Sequence, residues 1–261
     1  MSTPAVRTTV DGEVLMVTLD RPKANAVDAP TSRELYDAFA RLRDDAALRV
    51  GILTGGGDRF FSAGWDLKAA ASGEPADADW GPGGFAGLTE LFDMDKPVIA
   101  AVNGMALGGG FELALAADLI IAADHAVFAL TEATLGLVAD AGGMIRLPKR
   151  MPRSVALELM LTGRRMDAAE AARWGIVNRV VSGDQLLDAA GDLARQVCAA
   201  APLSVAAILE VVRETEGQSI PDSFATLRSD LTHYPRVAGS ADAQEGVQAF
   251  VERRKPQWRG R

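Results

Sequence analysis

Glu112 stands one residue beyond three glycines, Gly108-Gly109-Gly110, with Phe111 between. The stretch is otherwise apolar, with Met105-Ala106-Leu107 before it and Leu113-Ala114-Leu115-Ala116-Ala117 after it. A carboxylate in such company is expected to be at least partly buried, and burial is costly without a role or a partner. The plain alternative is a surface carboxylate favoured by a helix dipole. Glu132 repeats the pattern at the end of Phe128-Ala129-Leu130-Thr131. Paired carboxylates are what addition of water requires: one holds or deprotonates the water while the other manages the proton at carbon. Glycines at a helix entrance bare N–H groups that have no partner inside the helix and lie at the positive end of its dipole, a site for a developing oxyanion. The same three glycines would equally serve a tight turn or close packing against a sheet.

Exclusions narrow the chemistry. The glycines nowhere fall in the G-x-G-x-x-G spacing, no Gly-Lys pair makes a phosphate loop, and no G-x-S-x-G elbow is present. His125 and His233 stand far apart and outside any H-E-x-x-H pattern, so no metal site is expected. The net charge of −8 argues against a nucleic-acid partner, which calls for a basic surface. The longest uncharged stretch, Pro97 to Phe111, is broken by Asn103 and glycines and ends at Glu112, so no membrane span is expected. The N-terminus carries no basic region followed by an apolar run, and the lone Cys198 fits a reducing compartment; both point to the cytoplasm. His125 and His233 are read as structural, and Cys198 as a small apolar helix residue.

The elements that must position these residues follow from pattern. Val6–Val10 and Val14–Leu19 read as a hairpin turning at Asp11-Gly12. Thr31-x-x-Glu34 reads as a capping box opening a helix with Leu35, Phe39 and Leu42 on one face. Val50–Thr54, Val98–Val102, Asp118–Ala123 and Val127–Leu130 read as strands, and Phe111–Ala117 as a helix. A short helix is expected through Leu88, Leu91 and Phe92. The Gly/Pro/Ala-rich stretch 69–87 lacks periodicity and reads as a mobile cover. Strands alternating with helices to about residue 181 give an α/β core with a mostly parallel sheet. The pattern then turns helical, which divides the chain into a core over 1–195 and a helical region over 196–261.

The run Ala100-Ala101-Val102-Asn103-Gly104-Met105-Ala106-Leu107-Gly108-Gly109-Gly110-Phe111-Glu112-Leu113 resembles the signature stretch of the crotonase (enoyl-CoA hydratase/isomerase) superfamily. The likeness runs from Leu19-Asp20-Arg21-Pro22-Lys23-Ala24-Asn25-Ala26 to Phe250-Val251-Glu252-Arg253-Arg254-Lys255. It implies a crotonase-like spiral of ββα turns, a helical C-terminal trimerisation region, and a homotrimer or dimer of trimers. It also implies an acyl-CoA thioester substrate with no further cofactor. Its oxyanion hole falls on the backbone N–H groups of Ala63 and Gly109, and its two hydratase glutamates on Glu112 and Glu132. Its CoA-binding stretches fall on Lys23 and Ala24 and on Ala63, Gly64, Trp65 and Asp66, with Lys68 and Arg253–Lys255 within reach of the phosphates.

Within the superfamily, Phe61-Ser62-Ala63-Gly64-Trp65-Asp66-Leu67-Lys68, Gly81-Pro82-Gly83-Gly84-Phe85 and His233-Tyr234-Pro235 resemble the carnitinyl-CoA dehydratase subgroup. Ala139 departs from that subgroup, which has Pro before Asp140. Ala141-Gly142-Gly143-Met144 departs from the Thr-Gln of common fatty-acid hydratases. The resemblance implies hydration or dehydration between carnitinyl-CoA and crotonobetainyl-CoA. A general short-chain enoyl-CoA hydratase, an isomerase and a non-catalytic RNA-binding relative remain as alternatives. Trp65 and Asp140 are the candidates for holding a trimethylammonium group, by an aromatic face or an anion; their plain alternatives are core filling and a turn carboxylate.

Overall fold

The computed structural model describes residues 4–229 and 231–261. They form two compact units, one of residues up to Asp93 with Val98–Ala194, the other of Met94–Pro97 with Arg195–Arg261. In chain order the first carries β1 (Val6–Asp11), β2 (Val14–Leu19), α1 (Ala29–Asp44), β3 (Val50–Gly55), β4 (Phe60–Ser62), α2 (Leu67–Ala71), β5 (Val98–Val102), β6 (Met105–Leu107), α3 (Gly109–Ala116), β7 (Leu119–Ala123), β8 (Val127–Ala129), α4 (Gly143–Arg150), α5 (Arg153–Thr162), β9 (Met166–Asp167), α6 (Ala168–Arg173), β10 (Arg179–Val181) and most of α7 (Leu186–Cys198). The second carries α8 (Pro202–Thr215), α9 (Ile220–Leu227), α10 (Tyr234–Val237) and α11 (Ala241–Glu252).

The strands divide between two sheets, where the pattern suggested one. The larger runs β1-β2-β3-β5-β7-β10 and the smaller β4-β6-β8-β9. Apart from the β1–β2 hairpin and the β8–β9 pair, neighbours are parallel. Each turn of chain lays one strand in the large sheet and the next in the small one: β3 then β4, β5 then β6, β7 then β8. This is the expected spiral of ββα turns. β3 and β5 are buried at every position, as strands covered on both faces must be. Phe39, Phe61, Phe111 and Phe128 are among the largest fully buried side chains of this core.

Several local expectations are corrected. The hairpin pairs Asp11 with Val14, so the two turn residues are Gly12 and Glu13, with Gly12 at φ +57°. Asp28, not Thr31, caps α1: its side chain accepts the Thr31 N–H at 2.9 Å. Glu34 instead accepts the N–H of Val6 at 3.2 Å. Leu35, Phe39 and Leu42 do form the buried face. The helix expected through Leu88, Leu91 and Phe92 is a 3₁₀ turn at Phe85–Gly87 followed by irregular turns, with Leu88 and Leu91 buried and Phe92 exposed. The stretch 69–87 is tied down. Ser32 Oγ donates to the carbonyls of Trp80 (2.8 Å) and Gly84 (3.1 Å), and Arg33 pairs with Asp79 at 2.6 Å. Gly87 lies so close to α1 that a Cβ there would come 2.2 Å from the Tyr36 nitrogen.

In the second unit, two buried carboxylates tie loop and tail backbone to the helices. Buried Glu210 accepts the N–H groups of Thr232, His233 and Tyr234. Buried Asp242 accepts those of Arg259 and Gly260, which holds the C-terminal tail against α11.

Candidate active site

The site begins where β6 gives way to α3. Gly108 takes φ +53°, and a Cβ on it would lie 3.0 Å from Glu132 Oε1. A Cβ on Gly109 would come 2.6 Å from Phe85 Cε1, and one on Gly110 would come 2.1 Å from the carbonyl oxygen of Ser62. Close packing is thus a reason for all three glycines. Packing and exposure also coincide, because Gly109 borders the cavity described below. Among the described residues no hydrogen bond engages the Gly109 N–H, as befits the first residue of α3.

The second expected donor needs correction. The N–H of Ala63 already donates to the carbonyl of Ala24 at 2.9 Å, which leaves it nothing for a ligand. Two residues on, Trp65 sits in a bridge with Val27 whose bonds run from Val27 N–H to the Gly64 carbonyl and from Asp66 N–H to the Val27 carbonyl, both within 2.9 Å. That pattern leaves the Trp65 N–H without a partner among the described residues. Gly64 lies between the two at φ +80° and packs on Gly109: a Cβ on it would come 2.6 Å from the Gly109 nitrogen. The unused N–H groups beside each other are those of Trp65 and Gly109.

Glu112 and Glu132 converge on the same cavity. Glu112, on α3, is only 3 % exposed, and its Oε1 accepts the Gly143 N–H at 2.8 Å from the start of α4. A Cβ on Gly143 would lie 3.0 Å from that oxygen, so the departure at 141–144 has a function: glycine lets a backbone donor reach the carboxylate. Burial pushes the Glu112 carboxyl up to about 8; the Gly143 N–H opposes the rise, and the charges of Glu132 and Asp140 add to it. Burial raises Glu132 as well, its own backbone N–H opposes, and Asp140 adds again. Glu132 Oε2 is buried with no hydrogen-bond partner among the described residues. An unpartnered carboxylate oxygen costs stability unless a water or substrate atom meets it.

The cavity holds about 630 Å3. Leu67, Leu107, Leu135, Leu137 and Val138 supply apolar wall, and Trp65, Trp80 and Phe85 supply aromatic wall. Asp77, Glu90 and Asp140 join the two glutamates, and no Lys or Arg is among the described residues that line it. Of the other expected contacts, Ala63 and Trp65 line the cavity, whereas Lys23, Ala24, Gly64, Asp66 and Lys68 do not. Lys23 and Lys68 are exposed. Asp66 is engaged elsewhere: it pairs with Arg21 at 2.6 Å and caps α2 by accepting the Lys68 N–H. Sequence reasoning missed Trp80, Glu90 and the Gly143 donor. Phe85 lay within a quoted motif, but nothing local gave it a role.

The Enoyl-CoA hydratase/isomerase family model matches residues 9–261. The carnitinyl-CoA dehydratase of Citrobacter koseri is 61% identical over 251 residues, 96% of each chain. A crystal structure of enoyl-CoA hydratase from Mycobacterium tuberculosis H37Rv superposes with a TM-score of 0.91 at 46% identity, covering 99% of this chain and 100% of that one. A crystal structure of carnitinyl-CoA hydratase from Mycobacterium avium does so with a TM-score of 0.78 at 42% identity, covering all of both chains. Spiral, glycine-built helix entrance, a buried and a half-buried glutamate on one cavity, and full-length likeness agree, and the chain belongs to the enoyl-CoA hydratase/isomerase family.

Proposed function

We propose that the protein is a hydro-lyase that adds water to crotonobetainyl-CoA and removes it from carnitinyl-CoA. The observation that carries this reading is the meeting of two raised carboxyls, Glu112 and Glu132, beside the unused N–H groups of Trp65 and Gly109 in one cavity. The thioester carbonyl oxygen sits between those two N–H groups. They stabilise the negative charge that builds on it as the β-carbon is attacked. The two carboxyls act as a coupled pair that shares one proton, which rests on Glu132 when substrate and water are bound. Ionised Glu112 takes a proton from water as its oxygen bonds to the β-carbon, while Glu132 gives its proton to the α-carbon. Dehydration runs the same steps backwards. No metal or redox group has a step to perform.

Lys23, Ala24, Asp66 and Lys68 lie outside the acyl cavity, and we assign their stretches to the nucleotide part of CoA, with Arg253–Lys255 as a further source of positive charge. Residues 196–261 serve self-association into a homotrimer or a dimer of trimers. Support comes from α11, where Val247, Phe250 and Val251 are strongly exposed.

The test is kcat/KM of the wild-type protein on crotonobetainyl-CoA and on crotonyl-CoA. A preference of tenfold or more for the cationic substrate is expected. Faster turnover of crotonyl-CoA would contradict the carnitine reading and leave a general hydratase.

A further inference from the structure

Trp80 did not announce itself in the sequence. It stands 15 residues after Trp65 in an aperiodic stretch, yet both indoles border the cavity. Their planes meet at 90° with centroids 6.4 Å apart, and Trp80 continues to Phe85 at 5.1 Å and 72°. The backbone holds Trp80 in place, since its carbonyl accepts Ser32 Oγ at 2.8 Å. Trp65 is fixed from behind: its Nε1–H donates to Glu74 Oε1 at 2.8 Å, and the other Glu74 oxygen accepts the Ala29 N–H at 3.0 Å at the start of α1. Donation to a carboxylate also enriches the indole π system, which is the part a cation meets.

A quaternary ammonium has no N–H to donate, so a ring of hydrogen-bond acceptors gains little from it. It is held by aromatic faces and by negative charge that need not touch it. This cavity supplies both, with perpendicular indoles, Asp77, Glu90 and Asp140 on its walls, and no cationic lining residue among those described. Resting on the hydratase reading above, we propose that Trp80 and Trp65 together form the quaternary-ammonium subsite, Trp80 as a specificity-determining residue and Glu74 as the positioning residue for Trp65.

The experiment separates charge from shape. Crotonobetainyl-CoA is compared with its neutral carbon isostere, 5,5-dimethylhex-2-enoyl-CoA, in wild type, Trp80→Leu and Glu74→Gln. In wild type the ratio of kcat/KM favours the cation. Trp80→Leu costs both substrates packing, but the cationic one loses roughly thirtyfold more, the value of a desolvated cation–π contact at tenfold per 1.4 kcal/mol, and the loss appears mainly in KM. Glu74→Gln keeps an acceptor for the indole N–H, removes the charge behind it, and lowers the ratio severalfold; it reports even where Trp80→Leu fails to fold. Equal losses on both substrates, or an unchanged ratio, would overturn the subsite and leave the hydratase standing. A wild-type protein faster on crotonyl-CoA than on either would instead overturn the hydratase assignment to carnitine-type thioesters, and the subsite with it.

Discussion

Among single residues, two carboxylates carry the proposed chemistry. Glu112→Gln and Glu132→Gln should each lower kcat on crotonobetainyl-CoA by roughly 10²–10⁴-fold, the usual contribution of a general acid or base, with far smaller changes in KM. Near-wild-type hydration by either variant would remove that residue from the mechanism. Glu112 also carries a stability signature. Its folded pKa is raised from 4.5 to about 8. A raised acid is more stable protonated, so its contribution is fully present below the unfolded pKa and is lost as pH climbs through the folded one. The loss amounts to as much as about 5 kcal/mol, at 1.36 kcal/mol per unit. Glu112→Gln cannot ionise, so its Tm should gain on wild type as pH rises from 5 to 9; parallel Tm curves would contradict the burial argument. Both glutamates were legible in the sequence, Glu112 because its neighbours either way are largely apolar and Glu132 because it ends the run Phe128-Ala129-Leu130-Thr131. The proposed pair of oxyanion donors was half legible. Gly109 follows from its place at a helix entrance. The other donor depends on which N–H the Ala24 carbonyl claims, and Gly64 at φ +80° breaks the strand alternation between Ala63 and Trp65. No local pattern records that.

At the scale of elements, α3 is placed by glycines that have no room for a side chain. Gly110→Ala drives a Cβ to within 2.1 Å of the Ser62 carbonyl oxygen, a backbone atom that cannot swing aside. A loss of about 1–3 kcal/mol is expected, the range for overpacking, read as a lower denaturant midpoint; a midpoint equal to wild type would mean that β4 and α3 are not held together as described. Elements whose hydrophobic period is long and regular were legible: β2, β3, β5, β7 and the buried face of α1. Among the short elements, β8 and α3 were legible from their apolar runs, and others were not. β6 has three residues, and β9 two, too few to establish any period. The stretch 69–87 looked mobile because its order comes from bonds to α1 many residues away, through Ser32, Arg33 and Ala29.

At the scale of the whole molecule, alternating strands and helices pointed to a parallel α/β core. The division of its strands between two sheets came only with the resemblance to a known spiral, since strand-to-sheet assignment is set by long-range pairing. Exposed apolar residues of α11 carry the proposed self-association. Phe250, 85 % exposed, should be a contact, and Phe250→Asp should lower the mass found by analytical ultracentrifugation; an unchanged mass would remove α11 from the interface. The proposed reaction adds the elements of water across the conjugated double bond of a thioester. It is tested most directly by mass spectrometry of the product formed from crotonobetainyl-CoA in D₂O. A product heavier by one water is expected, with the oxygen at the β-carbon and a single deuterium fixed on the α-carbon. A product that has gained no water, or whose deuterium lies at the γ-carbon as in an isomerisation, would contradict it.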